Sequence, residues 1–123
     1  MFSLPPTVRI FLSARPADMR RSFDGLAAMT REVINADPLS GHLFVFRNRR
    51  SDRVKILWWD RGGFCLWYKR LEEGTFHFPS GGTPCVEVDP AELALLLEGI
   101  ELAGARRRPR FAPAKALAAS GGI

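Results

Sequence analysis

The chain has 123 residues, 46% hydrophobic and 25% charged, a composition that fits one soluble globular domain with a single core. No apolar run approaches the ~18 residues that a membrane-spanning helix needs. The net charge of +5 is a mosaic: residues 47–70 hold eight basic and two acidic side chains, residues 71–105 seven acidic and no basic, and residues 106–123 five basic and no acidic. Blocks of this kind attract phosphate backbones or an acidic protein; the bland alternative is a solvated face paired to the acidic segment.

The N-terminus (MFSLPPTVRIFLSARPADM) lacks a basic region before its first apolar residues, and prolines interrupt it. It is not a convincing signal peptide, so the expected location is the cytoplasm. Residues 8–12 (VRIFL) are rich in strand formers and predict a first strand. Asp18 is placed to cap a following helix, whose apolar residues recur at Met19, Phe23, Leu26, Ala27, Thr30, Val33 and Ile34. Gly25 inside that helix costs about 1 kcal/mol and implies a close packing contact. Asn35-Ala36-Asp37-Pro38 ends the helix, because a residue before proline disfavours the helical region.

Residues 42–47 (HLFVFR) predict a second strand, 48–52 a polar turn and 53–59 a third strand. The turn Asp60-Arg61-Gly62-Gly63 tolerates positive φ and leads to a fourth strand at 64–70. Residues 75–78 (TFHF) predict a fifth, stopped by Pro79. Together these runs suggest an antiparallel meander. Val54, Ile56 and Trp58 fall on one face of the third strand, with Lys55, Leu57 and Trp59 on the other. Phe64, Leu66 and Tyr68 likewise oppose Cys65, Trp67 and Lys69. Both faces are apolar. One is expected to pack on the helix at 18–34. The other needs the C-terminal helix, a second subunit or a ligand. A homodimer follows if both helices share one face.

Residues 80–84 (SGGTP) read as a flexible loop and 86–88 as short and extended. Asp89-Pro90 opens a second helix with proline in its first turn. Leu93, Leu96, Leu97 and Ile100 are its stripe, and Gly104 is expected to close it. Residues 106–123 lack an amphipathic pattern and read as a disordered basic tail. The fold expected is thus α+β: one compact domain at 1–105, a β-meander of about five strands with two helices, and the tail at 106–123.

The stretch 54–70 (VKILWWDRGGFCLWYKR) holds all three tryptophans and the one tyrosine, interleaved with cations. Rings and cations together suit nucleic acid, through base stacking and phosphate contact. At least two of Trp58, Trp59 and Trp67 are expected in the core, which leaves phosphate contact to the cations. The DNA-binding residues expected are Arg47, Arg49, Arg50, Arg53, Lys55, Arg61, Lys69 and Arg70, with Arg106, Arg107, Arg108 and Arg110 adding nonspecific affinity. No catalytic residue, metal ligand or cofactor is expected. Cys65, Cys85, His42 and His77 have no zinc-ligand spacing, and the cysteines read as buried thiols of a reducing compartment. Asp18, Asp24, Asp52, Asp60 and Glu72 could serve a nuclease, but Asp18 reads as a cap and Asp52 and Asp60 as turn residues. The glycines form no phosphate loop.

Three strings carry a resemblance: DMRRSFDGL at 18–26, the long run at 37–76 that begins DPLSGHLFVFRNRR, and ELALLLEGI at 92–100. The chain resembles the TnpB-type accessory protein, the second-open-reading-frame product of a family of bacterial insertion sequences with a separate DDE transposase. That protein is distinct from the RNA-guided nuclease of the same label. The resemblance implies an accessory role in DNA transposition, and the lack of a credible active site in the residues makes the role expected a non-enzymatic one. Its implied partners are DNA, the transposase and the element's other small protein, and it transfers no catalytic residue. The alternatives are a module that binds the transposase without contacting DNA, which the large second apolar face and the acidic 71–105 segment favour, and a small metal-dependent nuclease.

Overall fold

The computed structural model describes residues 4–79 and 81–100. Five strands form one mixed sheet: β1 (Ile10–Ser13), β2 (Leu43–Arg47), β3 (Arg53–Asp60), β4 (Gly63–Arg70) and β5 (Cys85–Val88), in the order β4-β3-β2-β1-β5. Helix α1 (Phe23–Met29) lies between β1 and β2 in sequence, and α2 (Pro90–Leu97) follows β5. The α+β class holds. β2, β3 and β4 make the expected antiparallel meander. The sheet is nevertheless mixed, because β1 runs parallel to β2. A parallel neighbour needs a crossover, and the chain from 14 to 42 with α1 supplies it.

The fifth strand is a correction. Residues 75–78 join no ladder; residues 85–88 do, pairing antiparallel with β1 from Ile10↔Val88 to Ser13↔Cys85. The segment 75–78 is extended for another reason. The chain must cross from β4 at one sheet edge to β5 at the other, and it buries Phe76 on the way. The Phe76 N–H donates to the Ser51 carbonyl, one bond where a strand would make several.

Strand alternation splits the core in two. Ile10, Leu12, Leu43, Val45, Val54 and Ile56 meet Leu93, Leu96 and Leu97 of α2 on one face. Phe44, Phe46 and Leu57 meet Leu26, Ala27 and Met29 of α1 on the other. Each helix therefore covers its own face. The condition on which a homodimer was expected, both helices on one face, is not met. Trp58 and Trp67 pack against the α2 side. Trp59 is half-buried, with Phe64 edge-on at 5.1 Å.

The helix ends differ from expectation in instructive ways. α1 begins at Phe23, and Asp18 caps its own turn instead, accepting from the Arg20 N–H at 2.9 Å. The last five residues, Thr30–Ile34, widen into a π-helical turn that ends on Asn35 in the left-handed region. Gly25 has the close contact expected: a Cβ there would meet the Arg21 side chain at 3.0 Å. In α2 the Asp89 carboxylate accepts from the Glu92 N–H while the Glu92 carboxylate accepts from the Asp89 N–H, a reciprocal cap. Gly99, at φ +84°, closes this helix in place of Gly104, which lies outside the described residues. The Gly99 and Ile100 N–H groups donate back to the Leu96 and Leu95 carbonyls, the paired bonds of a left-handed terminus. The tail at 106–123 also lies outside the described residues.

The β3–β4 turn is two residues long, with Arg61 at φ 40° and Gly62 at φ 97°. Positive φ at both positions defines the turn whose twist matches a hairpin and which favours Asn-Gly. Arginine carries a steric cost there that asparagine largely avoids. Arg61→Asn should therefore keep or raise stability, by up to about 0.5–1 kcal/mol, while Gly62→Ala lowers it by about 1 kcal/mol. Chemical denaturation of the two variants checks both signs.

Candidate nucleic-acid interface

The β2–β3 turn is built around Asn48. Its side-chain oxygen accepts from the Arg53 N–H at 3.0 Å, and its amide donates to the Asp52 carboxylate at 2.6 Å. The backbone closes the same loop, Asn48 N–H to the Arg53 carbonyl and Ser51 N–H to the Asn48 carbonyl. This lattice holds Arg49 and Arg50 outward at the tip, both exposed and neither in a salt bridge within the described residues. The Asn48 hydrogen bond holds the Asp52 carboxyl below its ordinary range, with smaller help from the charges of Arg50 and Arg53.

A second wall faces this turn. The Ala17 N–H donates to the Arg47 carbonyl, which ties the loop after β1 to β2. The Asp18 carboxylate grips Arg20, with a closest contact of 2.6 Å, and these bonds hold its pKa down at about 2. Between turn and loop lies an open cleft of about 520 Å³, lined by Ala17, Asp18 and Met19 on one side and Arg49, Arg50 and Arg53 on the other. Asp18 and Asp52 both reach the cleft, but each is already engaged, by Arg20 and by Asn48. Among the described residues no three His, Cys, Asp or Glu side chains lie close enough to hold a metal ion.

The structure divides the expected contact residues. Arg49, Arg50 and Arg53 gather at the cleft. Arg47 is half-buried beside it, 5.7 Å from the centre of the Phe78 ring, and burial pushes its guanidinium pKa down. It donates to the Asn48 carbonyl and the Ser51 hydroxyl, so it braces the turn. Lys55 is 7% exposed and donates to the Met19 and Arg21 carbonyls, each at 2.8 Å. Lys69 donates to the Leu97 carbonyl at 2.8 Å, at the C-terminus of α2 where a cation is favoured. Both lysines act as struts between elements, so the structure does not bring them to the cleft with Arg49, Arg50 and Arg53. Arg61 sits at the far end of the hairpin, roughly 25 Å from Arg53 by strand rise, against Asp60. Arg70 is paired with Glu72 at 2.9 Å. Arg106, Arg107, Arg108 and Arg110 lie outside the described residues.

Sequence reasoning passed over Arg20 and Arg21, which lie on the exposed loop that forms the second wall. The adjacent basic pair in DMRRS was the available signal. Cys65 and Cys85 are free and half-buried, and desolvation pushes the Cys85 thiol up, as suits an inert group.

The domain thus sets a basic cleft at one end of a sheet covered on both faces. The family model described as IS66 Orf2 like protein matches residues 8–107. The chain belongs to that family, which confirms the resemblance carried by the strings at 18–26, 37–76 and 92–100 and supports an accessory role in transposition. Among its relatives, uncharacterized protein y4hO of Sinorhizobium fredii (strain NBRC 101917 / NGR234) is 42% identical over 94 residues, 76% of this chain and 82% of that protein. Uncharacterized protein y4jC of the same strain is 37% identical over 108 residues, 88% of this chain and 92% of that one. No solved structure gives a significant match. Among the described residues no helix is long and apolar enough to cross a membrane.

Proposed function

We propose that the chain is a non-enzymatic accessory factor of transposition that acts in the cytoplasm and holds DNA nonspecifically by its phosphates. One observation carries this reading. Arg49 and Arg50 stand at a hydrogen-bonded turn and form no salt bridge among the described residues, and Arg53 joins them at an open cleft. A turn fixed by Asn48 presents these cations at little further ordering cost, and phosphate contact needs charge and position more than base-edge chemistry. The arginines at 106, 107, 108 and 110 add attraction by charge alone. The family supplies the setting; the partners proposed within it are the element's transposase and other small protein.

The carboxylates of the cleft fit this reading better than they fit a nuclease. Two-metal chemistry uses carboxylates free to bind ions. Here Asp18 is tied to Arg20 and Asp52 to Asn48.

The test is a salt titration of DNA binding with Arg49, Arg50 and Arg53 replaced together by glutamine. The variant should bind every sequence more weakly. Its slope of log affinity against log salt should flatten by up to about 0.9 per lost contact. An unchanged slope in a folded variant refutes the proposal, and metal-dependent cleavage by the parent protein replaces it with the nuclease.

A further inference from the structure

We infer that Tyr68, with Arg53 and Arg70, forms a stacking platform that favours single-stranded over duplex DNA. The inference rests on the DNA-binding reading above and assigns the form of DNA.

Three observations converge on this patch. Tyr68 is 46% exposed, although it lies in a strand that otherwise turns its rings inward. It sits on β4, at the edge of the sheet, so no described strand flanks it on the outer side. Its hydroxyl accepts from the Arg53 guanidinium at 3.0 Å, and the Lys55 ammonium stands 4.8 Å from the ring centre. The ring is held in place by cations.

Strand register supplies the second half. Arg53 is directly opposite Arg70, and Lys55 directly opposite Tyr68, so all four share one face of the hairpin. Like charges directly opposite each other destabilise a strand pair. Glu72 offsets part of this through Arg70, in a salt bridge that is largely exposed. A polyanion relieves the rest. The arginines meet phosphates while the tyrosine offers a π-face to a base.

Duplex DNA cannot use that face, because its bases are stacked within the helix. A single strand can turn a base out onto the ring, and such stacking tolerates any sequence. The arginine at the rim of the ring reinforces it.

The experiment compares binding of a 5′-labelled oligo-dT of about 16 nucleotides with that of a duplex of about the same length, the upper end of the span one single-strand-binding fold covers. Fluorescence anisotropy is read at one salt concentration with the full chain. Tyr68→Ala should lose on the order of tenfold in affinity for oligo-dT and less than about twofold for duplex. Tyr68→Phe, which keeps the π-face, should stay within about twofold of the parent on both. Tyr68→Leu keeps apolar bulk without the π-face and should behave as Tyr68→Ala; it carries the test if the alanine variant melts early. Equal losses on both DNAs, or no loss on oligo-dT, overturn the platform. If the Arg49, Arg50 and Arg53 variant weakens both DNAs while Tyr68→Ala weakens neither, DNA binding stands and this inference fails. A parent chain that binds neither DNA sinks both.

Discussion

Lys55→Met is expected to destabilise the domain by about 3 kcal/mol, lowering the melting temperature by roughly 10 °C. The physical reason is the position of its ammonium group. Lys55 stands among apolar neighbours on β3 and reaches the Met19 and Arg21 carbonyls across the α1 face. Hydrogen bonds from a charged donor contribute more than neutral ones, and their loss leaves two part-buried carbonyls without their donor. Methionine keeps the length and apolar bulk of the stem, so the effect reports the ammonium and not a cavity. The same variant separates the strut from a DNA contact. At a temperature where it is folded, its slope against salt should equal the parent's. A stable variant with a flattened slope would return Lys55 to the binding surface.

Leu96→Ala is expected to cost about 3 kcal/mol, within the range for emptying a buried leucine site. Leu96 is fully buried in the α2-side core with Leu93, Leu97 and Val45. The denaturation midpoint of both parent and variant should stay fixed over a hundredfold range of protein concentration. A face covered by a second copy would give a midpoint that climbs with concentration, by mass action. Such a climb would show that α2 is not the cover.

Much of this architecture is local and was legible. The β3–β4 hairpin follows from alternation and from a turn that tolerates positive φ. The start of α2 follows from Asp89, Pro90 and Glu92. What escaped the sequence is contact between distant residues. β5 is four residues long, and its partner lies more than seventy residues earlier, so no turn announces the pair. Residues 75–78 have the better strand composition, yet Phe76 needs burial more than a ladder.

The same holds at the site. Lysine in sequence reads as surface charge, but Lys55 and Lys69 find carbonyls 28 to 36 residues away. Their alternation with apolar residues placed them on covered faces; no local pattern named the carbonyls that receive them. Arg49 and Arg50 needed no distant partner, and the polar turn at 48–52 that carries them was legible from its composition.

The order of strands also bears on how the chain is made. β1 is the first strand synthesised, yet it lies inside the sheet, with β2 on one side and β5 on the other. Its second edge has no β5 partner until residues 85–88 have left the ribosome, and the Ile10 and Leu12 face lacks its cover until α2 has followed. A nascent chain halted after β4 holds the meander and α1 but bears an open strand edge beside an uncovered apolar face, the two features that draw unfinished proteins into aggregates. In this domain the sheet and its α2-side cover close only when the last strand and helix have been made.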